Sequence, residues 1–289
     1  MKKIGKILAA NRSEIAIRIF RAAEESGIKT AAIYSKEDRF AIHRFKTDES
    51  YLVGEGKGPI QAYLDIDSII KIAKDAKVDA IHPGYGFLSE SPELAEQCEK
   101  NDITFIGPSK EILKRFGNKT EAKKVAEEAK VGTVPSVLVT KENLKSVEKE
   151  VEKIGYPVIV KASWGGGGRG MRVVRSSNEL IDQITTAQSE SLKAFGKDEV
   201  FIEKFLEDAA HIEVQILGDR HGNILHLFER DCSLQRRHQK IIERAPAHFL
   251  ENKTREEICN AAIKIAKQVK YFGAGTVEFL FDKKSGEFY

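Results

Sequence analysis

The sequence predicts an α/β domain with an open parallel sheet, residues 1–115, followed by an α+β domain, residues 116–289. In the first third, short apolar strands alternate with amphipathic helices, which is the pattern of parallel βαβ units. After Pro135 the texture changes, and two strand segments flank a five-residue polar turn, which predicts an antiparallel hairpin. A chain of 289 residues is also long enough to build two separate cores.

The first domain opens with a strand at 6–10, a polar turn and a helix with Ile15, Ile19 and Ala22 on one face. The same alternation continues along the chain. It predicts strands at 29–34, 79–82 and 104–106, helices at 65–77 and 92–100, and a helical connector at 110–130.

The second domain is predicted from the same patterns. We expect strands at 136–139, 158–162, 171–174, 211–217, 224–229 and 276–282, and helices at 141–153, 178–194 and 254–270. Only a turn and three residues follow the last strand. We therefore expect that strand to be buried but unpaired on one side, and the second domain to be incomplete.

Composition restricts the class of protein. Apolar residues make up 41% and charged residues 31%, with 7 prolines, as in a soluble globular protein. A net charge of +3 gives no basic field for nucleic acid. Cys98, Cys232 and Cys259 are scattered without metal-binding spacing, so we expect reduced thiols and a cytoplasmic location. The apolar stretch at 7–10 is too short for a signal peptide, and no stretch approaches membrane-spanning length.

The strongest local signal is a glycine-rich run at 165–170, directly after a strand that ends near Lys161. Consecutive glycines weaken a strand but allow backbone N–H groups to approach phosphate oxygens closely. Lys161 would supply a cation for the same ligand. The run matches neither the Walker loop nor the dinucleotide fingerprint. It predicts phosphate binding, with a flexible hairpin tip as the alternative.

Two further segments are compatible with a nucleotide. Residues 201–206 form an apolar strand whose backbone could bond an adenine edge, although an ordinary strand is the alternative. Residues 229–240 carry many long polar side chains, which indicates either the floor of a cleft or a solvated face. Gln235, His238 and Lys240 favour the cleft, because two neutral hydrogen-bonding groups and a cation suit a nucleotide and a small anion.

Two other features are less specific. Glu278 alternates with apolar residues on a strand, so its carboxylate either points to solvent or binds a hard cation such as Mg²⁺. Residues 82–90 follow the carboxyl end of a strand, where open α/β sheets bind ligands, but they are equally compatible with a structural turn.

Taken in order, these segments closely resemble the biotin carboxylase module of biotin-dependent carboxylases. The resemblance runs without a gap from Ile7 to Tyr289 and is carried by ILAANRSEIAIRI, IHPGYGFLSES, KASWGGGGRGMRVV, HIEVQILGD, ERDCSLQRRHQK and GAGTVEFLF. It implies a Rossmann-like parallel-sheet domain followed by an ATP-grasp domain. In the ATP-grasp domain the lid lobe would span about 136–203, and the next lobe would begin at 204.

The resemblance implies an enzyme that activates bicarbonate with ATP through carboxyphosphate and carboxylates biotin on a partner domain. It implies Mg²⁺ or Mn²⁺ as the metal, a biotinylated carrier and a carboxyltransferase as partners, and a homo-oligomer. Lys240 would bind bicarbonate and Glu278 the metal. The residues implied to bind ATP are Lys119, Lys161, Gly167, Gly168, Glu203, Lys204, Phe205, Leu206, His211, Gln235 and His238.

The family pattern continues beyond the strand of Glu278 with a second metal glutamate, an asparagine, an arginine and a glutamate base. Because this sequence does not include them, we expect little or no carboxylase activity from the chain alone. Two other hypotheses remain open at this point. One is a different ATP-grasp ligase, such as half of a carbamoyl phosphate synthetase, although QRRHQK suits the biotin enzymes. The other is a nucleotide-binding fragment without catalysis.

Overall fold

The computed structural model describes residues 3–140, 143, 146–163, 171–236 and 239–289. The chain divides into two compact units, 1–114 and 115–289. No helix within the described ranges is long and apolar enough to cross a membrane. Cys98, Cys232 and Cys259 are buried free thiols.

The first unit is built on five parallel strands, one more than the sequence predicts. They are β1 Lys6–Ala9, β2 Lys29–Tyr34, β3 Glu49–Leu52, β4 Ala80–His82 and β5 Thr104–Phe105, in the order β3-β2-β1-β4-β5. The helices of this part are α1 Ser13–Glu25, α2 Pro59–Tyr63, α3 Ile66–Asp75 and α4 Pro92–Lys100, with a 3-10 turn at Ile42–Phe45. The strand order reverses between β1 and β4, which is where open parallel sheets form ligand crevices.

The polar segments after β1 and β4 are tied together at that reversal. The buried Asn11 side chain donates to the carbonyl oxygens of Pro83 (2.7 Å) and Tyr85 (2.8 Å). Gly84 has a φ of +68°, and a Cβ there would lie 2.7 Å from Asn11 Nδ2. These contacts give both segments a structural role. The buried face of α1 also differs from the prediction: Ala16, Ile19, Phe20 and Ala23 are buried, while Ala22 is exposed.

The second unit contains two antiparallel sheets. The first has β6 Ser136–Val139, β7 Val158–Ala162, β8 Arg172–Val174 and β9 Val200–Lys204, in the order β6-β9-β7-β8, with α7 Val147–Ile154 and α8 Ser177–Phe195. The second has β10 Ala209–Gly218, β11 Ile224–Arg236, β12 Gln239–Arg244 and β13 Gly273–Asp282, in the order β12-β11-β10-β13, with α9 Asn252–Gln268.

From Lys110 onwards, three parts of the chain differ from the sequence prediction. The helical connector is two helices, α5 Lys110–Phe116 and α6 Lys119–Glu128, because the Asn118 side chain caps a new helix by accepting from the Thr120 and Glu121 N–H groups. Strand β11 continues through the polar segment to Arg236 and turns back as β12. The last strand, β13, pairs with β10 along its whole length, and residues 287–289 bond its other edge, so the expectation of an unpaired side is wrong there; of its ten residues only Phe279 is buried.

Candidate functional site

The carboxyl end of strand β9 places a carboxylate between two lysines. Glu203 is 5% exposed, and its two carboxylate oxygens bind different ammonium groups: Oε1 pairs with Lys123 and Oε2 with Lys161. Lys161 comes from β7, which pairs with β9 and aligns Ile159 with Glu203. Lys123 comes from α6, one helical turn after Lys119, so both lysines lie on the same side of that helix.

The charges of this group influence one another strongly. Burial would raise the pKa of Glu203, but the charges of Lys161 and Lys123 outweigh burial and hold the pKa below its ordinary value. Burial lowers the pKa of Lys123, and Glu203 opposes that shift. The carboxylate is therefore ionised at neutral pH, and its charge favours the protonated form of Lys123.

Lys123 belongs to this site but was not predicted from the sequence. Its ammonium donates to the Val134 carbonyl oxygen at 3.0 Å and lies 5.5 Å from the centre of the Phe201 ring. A lysine four residues after Lys119 was the available signal. That signal is weak, because lysines at this spacing are common on solvated helices.

A second charged group is centred on Lys240 of β12. Its ammonium bonds both Glu213 on β10 and Glu278 on β13, which lie directly opposite each other in the sheet. Burial opposes the charge of Lys240, but hydrogen bonds to these two carboxylates raise its pKa above the ordinary value. Burial is likewise outweighed at Glu213, whose pKa is lowered by hydrogen bonds from Lys240 and Arg230.

Glu213 of β10 also bonds a side chain of the neighbouring strand, β11. Arg230 of β11 donates to Glu213 and, through Nη1, to Gln215 Oε1 at 3.1 Å. The Cys232 thiol lies 3.9 Å from Glu213 Oε2. Glu213 was not among the site residues predicted from the sequence. The available signal was strand alternation, because Ile212, Val214 and Ile216 are buried and residues 211, 213 and 215 therefore face the other side.

Lys119 is the first residue of α6, one helical turn before Lys123. Burial lowers the pKa of Lys119, and the charge of Lys161 lowers it further. The charges of Glu203 and Glu278 raise that pKa but do not outweigh burial. The ion pairs place two lysines on Glu203 and one lysine between Glu213 and Glu278. A polyanionic ligand at this place would compete with the carboxylates for the lysines.

Of the predicted residues 204–206, Lys204 is the last residue of β9, and Phe205 and Leu206 follow it directly. The Lys204 N–H donates to the Pro135 carbonyl oxygen at 2.9 Å and the Phe205 N–H to that of Pro157 at 3.0 Å. The Lys204 ammonium donates to the carbonyl oxygens of Gly155 and Tyr156, both at 3.0 Å. These hydrogen bonds anchor the segment to the fold and occupy the N–H groups of Lys204 and Phe205. A nucleotide base would therefore have to bond other backbone groups of the segment, such as those of Leu206.

The remaining predicted residues divide into two sets. His211 lies on β10 two positions before Glu213, and its N–H donates to Ser233 Oγ at 3.0 Å. Gln235 is aligned with Lys240 across β11 and β12, and its amide donates to the Cys232 carbonyl oxygen at 3.1 Å. Both therefore belong to the sheet that carries Lys240. Gly167, Gly168 and His238 lie outside the described residues.

A metal ion would find an accessible carboxylate here. The Glu278 side chain is 68% exposed, with Lys240 as its ion-pair partner. Among the residues that the structure describes, no three His, Cys, Asp or Glu side chains form a metal cluster. Mg²⁺ does not need such a cluster, because it is commonly bound by one or two carboxylates together with phosphate oxygens and water. The donor chemistry of Glu278 fits that use.

Comparison with known families identifies the class of protein. Residues 118–289 match the ATP-binding domain of the carbamoyl-phosphate synthase L chain, and residues 3–113 match the biotin carboxylase N-terminal domain. The chain therefore belongs to the family defined by that ATP-binding domain, which is an ATP-grasp domain, and combines it with a biotin carboxylase N-terminal domain. The fold class predicted from the sequence is thereby confirmed.

Similar proteins narrow the class further. Over 288 residues the chain is 56% identical to pyruvate carboxylase of Bacillus subtilis, covering 100% of this chain and 25% of that protein. It spans about a quarter of the length of the curated relatives it matches. Two features of the sequence, HLFERDCS at 226–233 and Trp164 before the glycine run, also predict a likeness to pyruvate carboxylase in particular, and this likeness is confirmed.

Solved structures agree with this assignment. The biotin carboxylase of Campylobacter jejuni in a βγ-ATP complex is 44% identical, with a TM-score of 0.94 over 99% of this chain and 64% of that one. The biotin carboxylase domain of Hydrogenobacter thermophilus 2-oxoglutarate carboxylase, in complex with MgADP, ADP and bicarbonate, is 43% identical. Its TM-score is 0.93 over 100% of this chain and 63% of that one.

Proposed function

We propose that the second unit binds ATP with Mg²⁺, and that the protein uses it to activate bicarbonate and carboxylate biotin on a carrier domain. The observation that carries this proposal is the pair of charged groups in this unit, in which Lys123 and Lys161 bond Glu203 and Lys240 bonds the accessible Glu278. Several lysines next to an accessible carboxylate form a suitable environment for a triphosphate and its metal ion.

Each residue then has a defined task. Lys119 and Lys161 bind phosphate oxygens, with Gly167 and Gly168 closing over them, and Glu278 binds the metal. Glu203 and residues 204–206 adjoin the adenine, and His211, Gln235 and His238 hold the nucleotide. Lys240 binds bicarbonate. Transfer of the phosphoryl group to bicarbonate needs little covalent chemistry from the protein, so fixed cations that stabilise the developing charge are the main contribution.

Two observations favour a biotin carboxylase over another ATP-grasp ligase. The first unit matches a biotin carboxylase N-terminal domain, and the most similar relatives include pyruvate carboxylases. The ATP-binding domain by itself is also compatible with a carbamoyl phosphate synthetase half, so the first unit is the discriminating feature. We therefore propose carboxyphosphate, formed from bicarbonate and ATP, as the species that supplies the carboxyl group.

For the whole protein we propose the overall reaction of a pyruvate carboxylase. The relatives share about a quarter of their length with this chain, so the acyl acceptor and the partners rest on their likeness. We propose a biotinylated carrier and a carboxyltransferase as partners, and assembly into a homo-oligomer. A cytoplasmic location suits the three buried free thiols, because disulfides are rare in that compartment.

Isothermal calorimetry of the chain with ATP and Mg²⁺ tests the nucleotide site. Replacing Lys161 by alanine removes one charge-assisted phosphate contact worth about 1.5–3 kcal/mol, so we expect ATP to bind at least about 10-fold more weakly. The matched control is Lys153→Ala, at an exposed position of α7. Equal binding by the unsubstituted chain and the Lys161→Ala variant would contradict the placement of the phosphates.

A further inference from the structure

The Glu203 carboxylate shares its charge between two lysines with different environments. Oε2 pairs with Lys161, and Oε1 pairs with Lys123. The Glu203 side chain is 7% exposed, so almost none of its charge is solvated by bulk water. A carboxylate in this position needs at least one cation beside it, because a buried and unpaired charge costs several kcal/mol.

Binding of ATP changes the demand on Lys161. In the proposed function, the Lys161 ammonium contacts phosphate oxygens, which weakens its pairing with Glu203. If Glu203 had no other cation, it would hold Lys161 back, and ATP would have to overcome the cost of an unpaired buried carboxylate. A second cation that stays with Glu203 removes this cost.

Lys123 meets the requirements for that second cation. Its ammonium is held by the Val134 carbonyl oxygen at 3.0 Å and lies beside the Phe201 ring, and its side chain is 21% exposed. It belongs to α6, whereas Lys161 belongs to β7, so the two lysines reach Glu203 from different elements. Lys123 can therefore remain on Glu203 while Lys161 turns to another partner.

We propose that Lys123 is a positioning residue of the nucleotide site: it keeps the Glu203 carboxylate neutralised and so releases the Lys161 ammonium to the phosphates of ATP. This inference rests on the proposed function. It gives Lys123 an effect on phosphate affinity that depends on the presence of Glu203 and that spares the nucleoside part of the ligand.

A double-mutant cycle tests the inference by calorimetry with ATP and Mg²⁺. We expect Lys123→Met to weaken ATP binding about 10-fold, because Glu203 then holds Lys161 alone. In the Glu203→Gln background the same substitution should change the affinity by less than about 2-fold. Lys123→Arg, which keeps the charge, should stay within about 3-fold of the unsubstituted chain.

Adenosine separates positioning from a general structural role. We expect Lys123→Met to weaken ATP and ADP but to leave adenosine binding unchanged, because only the phosphates need Lys161. Thermal unfolding of every variant checks the fold. If Lys123→Met does not fold, Lys123→Gln replaces it in the cycle, because its amide can still bond Glu203 and Val134 but carries no charge.

The possible outcomes are distinct. Equal losses of ATP affinity with and without Glu203, an equal loss for adenosine, or no loss in either background would overturn the inference while leaving the proposed function intact. No binding of ATP by the unsubstituted chain would overturn the proposed function and this inference together.

Discussion

Glu213 and Glu278 face each other across strands β10 and β13, and the Lys240 ammonium bonds both carboxylates. Two like charges directly opposite each other destabilise a sheet unless a cation lies between them. Lys240 is that cation. The residue proposed to bind bicarbonate therefore also stabilises the pairing of β10 with β13, the strand that carries the proposed metal ligand.

This relationship predicts the effect of removing Lys240. We expect Lys240→Met to lower the free energy of unfolding by about 1 kcal/mol, because Arg230 still compensates Glu213 while Glu278 loses its cation. Adding Glu278→Gln should recover part of the loss by removing the repulsion. Urea unfolding near neutral pH measures both, with Lys264→Met, at an exposed position of α9, as the control. A double variant less stable than Lys240→Met would show that the repulsion is unimportant.

The Glu203 group predicts a dependence of stability on pH. The pKa of Glu203 in the folded chain lies below its ordinary value of 4.5, so Glu203 stabilises the fold above that pH, and the contribution disappears as the pH falls through the folded pKa. We expect Glu203→Gln to be less stable than the unsubstituted chain near neutral pH. The difference should shrink as the pH falls below about 4.5.

Urea unfolding at several pH values measures this difference. Glu152→Gln, at an exposed position of α7, is the control and should show no comparable dependence. A Glu203→Gln difference that stays constant down to about pH 3 would show that the ion pairs do not stabilise the fold.

The pair of Glu229 and Arg255 predicts a large structural effect outside the proposed site. The Glu229 side chain is fully buried and accepts from Arg255 Nε at 2.8 Å and from the Ala247 N–H at 3.0 Å. Arg255→Ala leaves that carboxylate without its cation, so we expect a loss of about 3–5 kcal/mol in the free energy of unfolding. The matched control is Arg175→Ala, whose ion pair with Glu207 is exposed, with an expected change below about 1 kcal/mol. Similar losses for the two variants would contradict the role of burial.

Two glycines of the second unit predict opposite outcomes. A Cβ on Gly218 would lie 2.5 Å from the Tyr271 carbonyl oxygen, and backbone cannot move aside as a side chain can. We expect Gly218→Ala to cost about 1–3 kcal/mol in the free energy of unfolding. A Cβ on Gly132 would meet only the Phe288 carbonyl oxygen at 3.9 Å, so Gly132→Ala should be neutral or slightly stabilising. Thermal unfolding distinguishes them, and a Gly218→Ala variant as stable as Gly132→Ala would contradict the close approach.

Much of the first unit could be predicted from local pattern. The apolar runs of β1 and β2 and the helix between them stand out because a buried parallel strand is apolar on both faces. The short edge strand β3 was missed, because Glu49–Leu52 contains no buried residue and so has no apolar pattern. On α1, Ala22 was assigned to the buried face, since alanine is equally compatible with a buried or an exposed position.

The second unit was harder to predict at its polar end. The segment after Glu229 has so many charged side chains that its continuation as β11 and its return as β12 were not visible in the sequence. The strands form there because Asp231, Arg244 and Ser233 satisfy one another: Arg244 bonds one carboxylate oxygen of Asp231 at 2.6 Å, and the Ser233 N–H donates to the other at 3.0 Å. Such pairing depends on the neighbouring strand, not on local propensity.

The sequence by itself determined the fold class, the family and the residue types suited to a nucleotide, because strand and helix periodicity and long ordered motifs are local properties of the chain. Only the tertiary structure decided which charges compensate one another. Lys123 reaches Glu203 from a helix 80 positions earlier in the chain, and Glu213 on β10 meets Lys240 from β12 and Glu278 from β13. Electrostatic pairing depends on distance in space and on burial, and neither can be read from positions along the sequence.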